Sequence, residues 1–396
     1  MQYNFDQEIN RLNTNSVKWD ETENIFGEKD LIPLFVADMD FRVPEPVIEA
    51  IKKRAEHGVF GYTARDDSYY EAIVGWMKRR HHWEIEKEWI IHVPGVVPAL
   101  GMIVNTFTKP GDKIIIQPPV YHPFANVVEK NDRVIVPNPL KFEDGRYVMD
   151  LEDLENKIDS DVKMIIISSP HNPVGRVWTK EELMQLGEIC LKHNVLVVSD
   201  EIHFDLLLKG NQHTPFASIS EEFANHSIIC TAPSKTFNLA GLQTSNIIIP
   251  NNNFREQFTN TLESLLIGMT STFGLVATES AYLYGDEWLE QLLDYLGHNL
   301  DFVTDYIQKN IPELKVIQTE GTYLVWIDCR KLGFDRKTLE QFMLKEAKVA
   351  LNQGYIFGES GDGFVRMNIA CRRSILEEGL TRIEKAVKNI RGVNSK

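Results

Sequence analysis

The chain reads as an α/β protein, with a mostly parallel sheet between helices and a smaller α+β domain beside it. Three observations carry that expectation. Short, branched and almost continuously apolar runs recur, among them Lys113-Ile-Ile-Ile116, Lys163-Met-Ile-Ile-Ile167 and Val195-Leu-Val-Val198. Helical patterns separate these runs, as expected of a parallel sheet covered on both faces. Beyond about residue 310 the alternation changes, and strand-like segments surround a single helix.

Composition narrows the class. A chain of 396 residues can bury a large core, and 43% hydrophobic with 25% charged residues is ordinary for a soluble globular protein. A net charge of −15 argues against nucleic acid or an anionic membrane as partner. No apolar run is long enough to span a bilayer. The first residues, Met1-Gln-Tyr-Asn-Phe-Asp-Gln-Glu8, show neither a basic region nor an apolar stretch. The expectation is therefore a cytoplasmic protein without a secretory signal. Cys190, Cys230, Cys329 and Cys371 lie far apart and read as reduced, mostly buried thiols, not a zinc or disulfide framework. His81-His82 has no spaced second pair, so no metal is expected, and both read as polar residues on an exposed helix.

In chain order, Pro44 and Pro46 precede a helical pattern through Val47, Ile48 and Ile51 that Gly58 can close. Phe60-Gly-Tyr-Thr63 is a turn presenting Tyr62, followed by a helix through Tyr69, Ile73, Trp76 and Met77. Ile90-Ile-His-Val93 is a strand, and Pro94-Gly95 opens a helix over Val96 to Phe107. A glycine turn feeding a helix leaves amide groups pointing outward, which is a phosphate cradle or simply a connection. The strand at 113–116 runs into Gln117-Pro-Pro-Val-Tyr-His-Pro123, and Val134-Ile-Val136 follows. The strand at 163–167 leads to Ser168-Ser-Pro-His-Asn-Pro-Val-Gly175. Thr179-Lys-Glu-Glu182 has capping-box spacing before a helix ending near Asn194. Val195 to Asp200 is the next strand, then Ser227-Ile-Ile-Cys230 and Asn246-Ile-Ile-Ile-Pro250. A helical region runs from about 254 to 309, with a break at 270–274. Strands are expected at 314–318, 323–327 and 364–369, a helix at about 337–346, and a closing helix from Ser374.

In open parallel sheets, ligands bind at the carboxyl ends of the strands. Gly95, Tyr121, Asn172, Asp200 and Lys235 all fall just past such strands, so they are expected to meet in one crevice. The centre of that crevice is Thr231-Ala-Pro-Ser-Lys-Thr-Phe-Asn-Leu-Ala-Gly-Leu-Gln243. A desolvated lysine loses its proton more readily than the usual value of about 10.4 allows, and can then attack a carbonyl. The neighbours suit a cofactor with an aldehyde, a phosphate and a cationic aromatic ring. Asp200 can pair with a protonated ring nitrogen, or merely cap the next segment. Tyr121 can cover the ring face, or be a core tyrosine. Asn172 can donate to a ring oxygen, or be a turn residue between prolines. The turn at Gly95, Val96 and Val97, with the Ser234 hydroxyl, can take the phosphate. Arg366 in Phe-Val-Arg-Met-Asn can grip an amino-acid carboxylate in bidentate fashion, although most strand arginines are edge residues.

The order Pro94-Gly-Val-Val-Pro98, Tyr121, Ser169-Pro-His-Asn-Pro-Val-Gly175, Ser199-Asp-Glu-Ile-His203, Ser234-Lys235 and Arg366 resembles the fold-type-I, aminotransferase-like pyridoxal-phosphate enzymes. More narrowly, Ala37-Asp-Met-Asp-Phe41, Asp200-Glu-Ile-His-Phe-Asp205 and Ala232 to Gln243 resemble the PatB/MalY group of C–S β-lyases. The resemblance spans nearly the whole chain. It implies pyridoxal 5'-phosphate as cofactor, a large domain over about 46–285, and a small domain formed by 1–45 and 286–396. It also implies a homodimer with shared active sites, in which Tyr62 reaches the phosphate of the neighbouring subunit's cofactor. General aminotransferases usually carry a tyrosine where this chain has His203, and a phosphate-binding arginine where it has Gln243. Both departures agree with the β-lyase group. Many members of that group carry a second tyrosine after the stacking one, where this chain has His122, a substrate-side position.

The expected reaction is β-elimination from a small sulfur amino acid such as cystathionine. Lys235 is the catalytic base, and Tyr121, His122, Asn172 and Arg366 face the substrate. An aminotransferase on the same scaffold shares every step up to loss of the Cα proton. A binding or regulatory protein that retains the scaffold is the remaining alternative, and an intact Lys235, Asp200 and Arg366 argue against it.

Overall fold

The computed structural model describes residues 2–208 and 210–394. Seven strands form the large sheet: β1 Ile90–Val93, β2 Lys113–Ile116, β3 Val134–Pro137, β4 Val162–Ser168, β5 Leu196–Asp200, β6 Ser227–Thr231 and β7 Ser245–Ile248. Their spatial order is β1-β7-β6-β5-β4-β2-β3. β3, β2, β4, β5 and β6 run parallel, whereas β7 is antiparallel to both β6 and β1. The apolar run at 246–250 carried no sign of that reversal, because hydrophobic pattern reports burial and not direction.

The apolar strands are buried on both faces. Ile114 and Ile116, Met164 and Ile166, and Leu196 and Val198 enter one core; Ile115, Ile165, Ile167 and Val197 enter the other. This is the period-two alternation of a strand, with both sides covered. The helices used below are α1 Glu45–Glu56, α2 Asp67–His81, α3 Val96–Phe107, α4 Lys180–Lys192, α5 Thr272–Tyr284, α6 Asp286–Asn310 and α7 Arg373–Asn394. The capping box forms as its spacing predicts: Thr179 accepts from the Glu182 amide while Glu182 accepts from the Thr179 amide.

A second, antiparallel sheet has the order β8-β9-β11-β10, with β8 Lys315–Val316, β9 Leu324–Asp328, β10 Asn352–Gln353 and β11 Phe364–Asn368. The short polar β10 has no apolar alternation and could not be expected from pattern. Ile32–Pro33 pairs in parallel with Val349–Ala350, which ties the N-terminal segment to this unit.

The long helical region is three helices, Asn252–Ser264, α5 and α6. Ser271 caps α5 by accepting from the Gly274 amide. Gly285 separates α5 from α6, and a Cβ there would lie 2.4 Å from the Phe237 ring. Only glycine lets this junction pack against the segment that carries Lys235.

One expectation is corrected. His81 is not an exposed helical residue: it is buried at the end of α2, with Nε2 2.8 Å from Asp205. Only His82 is exposed, in the left-handed conformation that ends the helix. The four cysteines are buried and free. Among the described residues, no helix is long and apolar enough to cross a membrane.

Candidate active site

The carboxyl ends of β4, β5 and β6, with the start of α3, converge on one pocket. It is lined by Pro94 to Pro98, Tyr121, Ser168, Asn172, Asp200, Ile202, His203, Ser234, Lys235, Gln243 and Thr244, with Ala37 closing one side. The crevice expected from strand ends is therefore present, and Val96, Val97, Tyr121, Asn172, Asp200, His203, Ser234 and Lys235 all reach it.

At one end, α3 begins without a side-chain cap. Its first four amides would ordinarily be unpaired. Pro98 has no N–H, and the Ala99 amide donates to the Gly95 carbonyl at 3.0 Å. The Val96 and Val97 amides are left as donors at a positive helix terminus, and Ser234 lines the same pocket. These groups suit an anion.

Asp200 ends β5, fully buried, with Oδ1 accepting from the Ile202 amide at 3.1 Å. Among the described residues, no cation forms an ion pair with it. Burial raises its carboxyl to about 7, partly offset by that amide and by the charge of Lys235. A buried carboxylate without a cation suits a ligand that brings one. Its proton is held more tightly in the folded chain than in the unfolded one. The stability gained is full below pH about 4 and lost as pH rises through about 7. The cofactor-free Asp200→Asn variant is therefore expected to melt a few degrees above wild type at neutral pH and level with it at pH about 4. Thermal unfolding at the two pH values checks this.

Lys235 lies on the one-turn helix Pro233–Thr236, with Nζ donating to the Ala37 carbonyl at 2.7 Å. Burial and, next, the charge of Arg366 lower its amine to about 8. Tyr323, which no motif marked, donates to the same carbonyl at 2.8 Å. His203 is fully buried and kept neutral by burial, and its Nδ1 has no partner. A buried polar atom without a partner, on a residue that lines a pocket, suits a ligand donor or acceptor.

Asn172 sits on the loop after β4, where Gly175 at φ +72° passes within contact of Thr319. Arg366, on β11, donates from Nη1 to Asn172 Oδ1 at 2.9 Å. This leaves the Asn172 amide N–H groups free to donate. Nη2 of Arg366 bonds Asn352 Oδ1 and the Phe35 carbonyl, while Nε is buried without a partner. The guanidinium lies 4.9 Å from the centre of the Phe357 ring, and burial lowers it to about 10. Arg366 therefore stands directly behind Asn172, with donor capacity to spare.

Three expected residues lie outside the pocket wall: Arg366, which reaches it only through Asn172, and His122 and Tyr62. His122 is exposed beside Tyr121, its ring centre 5.4 Å away and 6.2 Å from Phe357. Tyr62 is 93% exposed on its loop and touches nothing in its own chain's pocket. Ala37, Ile202 and Thr244 also line the pocket; no role was assigned to them from sequence, although Ala37 and Ile202 lie within the motifs that carry the resemblance, because small and apolar lining residues carry no chemical signature.

The donor set, taken together, fits pyridoxal 5'-phosphate: an amine, an anion cradle, a carboxylate without a cation, a neutral histidine and an aromatic wall. Residues 29–383 match the family model for class I and II aminotransferases, and the chain belongs to that family. Within it, the chain is 48% identical over 385 residues to cystathionine β-lyase PatB of Bacillus subtilis, covering 97% of this chain and 100% of that one. A PLP-bound putative aminotransferase from Clostridium difficile superposes with a TM-score of 0.96 at 50% identity, covering 98% of this chain and 100% of that one. Cystalysin from Treponema denticola, whose structure contains pyridoxal 5'-phosphate, superposes with a TM-score of 0.95 at 43% identity over the same shares.

Proposed function

We infer that the chain is a pyridoxal-phosphate-dependent C–S β-lyase. It cleaves cystathionine or a related S-substituted L-cysteine to a thiol, pyruvate and ammonia. The convergence of Lys235, Asp200 and Asn172 on one pocket, with Arg366 bonded to Asn172 behind it, in a chain 48% identical to PatB, carries this reading.

When bound, the cofactor supplies an electron sink that stabilises negative charge at the substrate Cα. The Val96 and Val97 amides and the Ser234 hydroxyl would hold its phosphate. Asp200 would keep the ring nitrogen protonated, Tyr121 would cover the ring, and Asn172 and His203 would donate to the ring oxygen. Arg366, with Asn172, grips the substrate carboxylate and so fixes which Cα bond faces Lys235. Lys235 takes the Cα proton as general base. With its amine lowered to about 8, roughly a tenth is neutral at pH 7, against less than a thousandth for an ordinary lysine. The electron pair left at Cα expels the thiolate from Cβ, and Lys235 returns its proton to the departing sulfur. His122, exposed beside Tyr121, is a substrate-side residue outside the pocket wall. Water then completes release of pyruvate and ammonia.

The experiment is incubation with cystathionine in the absence of any keto acid. The lyase releases thiol and pyruvate in equal amounts. No release, with amino transfer appearing only when a keto acid is added, would make the chain an aminotransferase.

The same reading includes a homodimer built on the large domain, about 46–285, with the small domain formed by 1–45 and 286–396. Val59, Phe60 and Tyr62 are exposed, as are Leu265, Leu266 and Met269. Bonds from Arg65 to Thr270 and to the Gly268 carbonyl, and from Thr63 to Thr272, hold these two segments side by side. An apolar patch of this kind marks an interface, and Tyr62 at its tip is free to reach a partner's phosphate. Lys235→Ala and Tyr62→Phe chains, each impaired alone, are expected to regain roughly a quarter of wild-type activity when unfolded, mixed and refolded together. Mixtures no better than the separate variants would mean that Tyr62 acts within its own chain.

A further inference from the structure

Behind the pocket wall lies a second polar layer that the proposed reaction does not use. The loop after β5 faces two ways: Asp200, Ile202 and His203 line the pocket, while the side chains of Glu201 and Asp205 are buried on its reverse. Glu201 accepts from the Ser199 hydroxyl and the Phe216 amide, both at 2.9 Å, and meets His213 Nε2 at 2.8 Å. Asp205 accepts from Trp76 Nε1 at 3.1 and 3.2 Å, meets His81 Nε2 at 2.8 Å, and accepts from the Thr236 hydroxyl at 2.7 Å. Trp76 and Thr236 are wholly buried, and His81 stacks on Phe204 at 4.4 Å.

The bond to Thr236 stands apart from the others, because Thr236 directly follows Lys235. Their helix, Pro233–Thr236, is a single turn. A single turn has almost no stability of its own, so tertiary contacts set its orientation. Ser234 and Lys235 line the pocket, while Thr236 points to the opposite side and ends on Asp205. Asp205 is itself held by the indole and imidazole at the end of α2. The turn is thus pinned from behind, at the residue whose rotation would swing the lysine amine. We propose that the Thr236–Asp205 hydrogen bond is a positioning contact for Lys235, aligning its amine for bond formation with the cofactor and for proton transfer. The kinetic part of this inference rests on the lyase reading; the geometric part does not.

Thr236→Val keeps the side-chain shape and removes the hydroxyl, and Thr236→Ser keeps the hydroxyl. One readout needs no substrate: the rate at which cofactor-free chain forms a borohydride-reducible bond with added pyridoxal phosphate. The other is kcat and KM for thiol release. Because a displacement of about 1 Å can cost 100-fold, Thr236→Val is expected to slow both trapping and kcat by about tenfold or more, with KM within about twofold. Thr236→Ser is expected to stay within about threefold of wild type in both. In the double variant with Asp205→Asn, no loss beyond the larger single loss is expected, since the two act through one contact. Unchanged trapping in Thr236→Val would overturn the proposal, as would Thr236→Ser slowed as much as Thr236→Val. Additive losses in the double variant would also overturn it. Failure of the lyase reading looks different: wild type would release no thiol, while the trapping rates would still separate valine from serine.

Discussion

Lys235→Ala is expected to lower thiol release from cystathionine by about 10⁴-fold, the upper range for loss of a positioned general base. Among the described residues no other amine lines the pocket, so none there substitutes for it. Arg366 is close, but even lowered to about 10 it remains charged near neutrality and takes no proton. The phosphate cradle of Val96, Val97 and Ser234 is untouched by the substitution. The variant should therefore still bind cofactor, but release it on dialysis, because the covalent tether is gone. Thiol assay together with cofactor retention reads both effects. Activity near wild type would remove Lys235 from the proposed mechanism.

Asp200→Ala is expected to retain cofactor yet lose about 10³-fold in kcat, comparable to removing a preorganised charge from a buried site. The physical reason is the isolation of this carboxylate. It is fully buried, and no cation among the described residues forms an ion pair with it, so it can pair directly with a cation that a ligand brings. In the proposed site its removal would leave the ring nitrogen without a counter-charge and weaken the electron sink for the substrate Cα. The loss should fall on kcat and not on KM, because the Arg366–Asn172 pair proposed to grip the substrate carboxylate is untouched by the substitution. An unchanged kcat would show that Asp200 serves only to cap the loop at Ile202.

Much of this site could be read from sequence, because the chemistry needs side chains at strand ends and short apolar strands are easily recognised. Asp200 ends such a strand, Asn172 and Lys235 follow theirs, and the structure brings all three to one pocket. What escaped has physical reasons too. Ala37 is used through its backbone carbonyl, which accepts from both Lys235 and Tyr323, and a carbonyl has no sequence signature. The direction of β7 was hidden because an apolar strand is buried equally well either way. His81 was misplaced because a histidine at a helix end looks solvated until its partner is known. Asp205, 124 residues away, supplies that partner. The expected domain limits depended on the family resemblance and not on any composition shift.

The central claim is that the Lys235 amine is the covalent anchor of the cofactor. Borohydride reduction of the holoenzyme followed by peptide mapping tests it most directly. The account predicts a single pyridoxyl-modified peptide containing Ser234-Lys235-Thr236, absent from Lys235→Ala. A modified lysine elsewhere in the chain, or no stable adduct in cofactor-loaded enzyme, would contradict it.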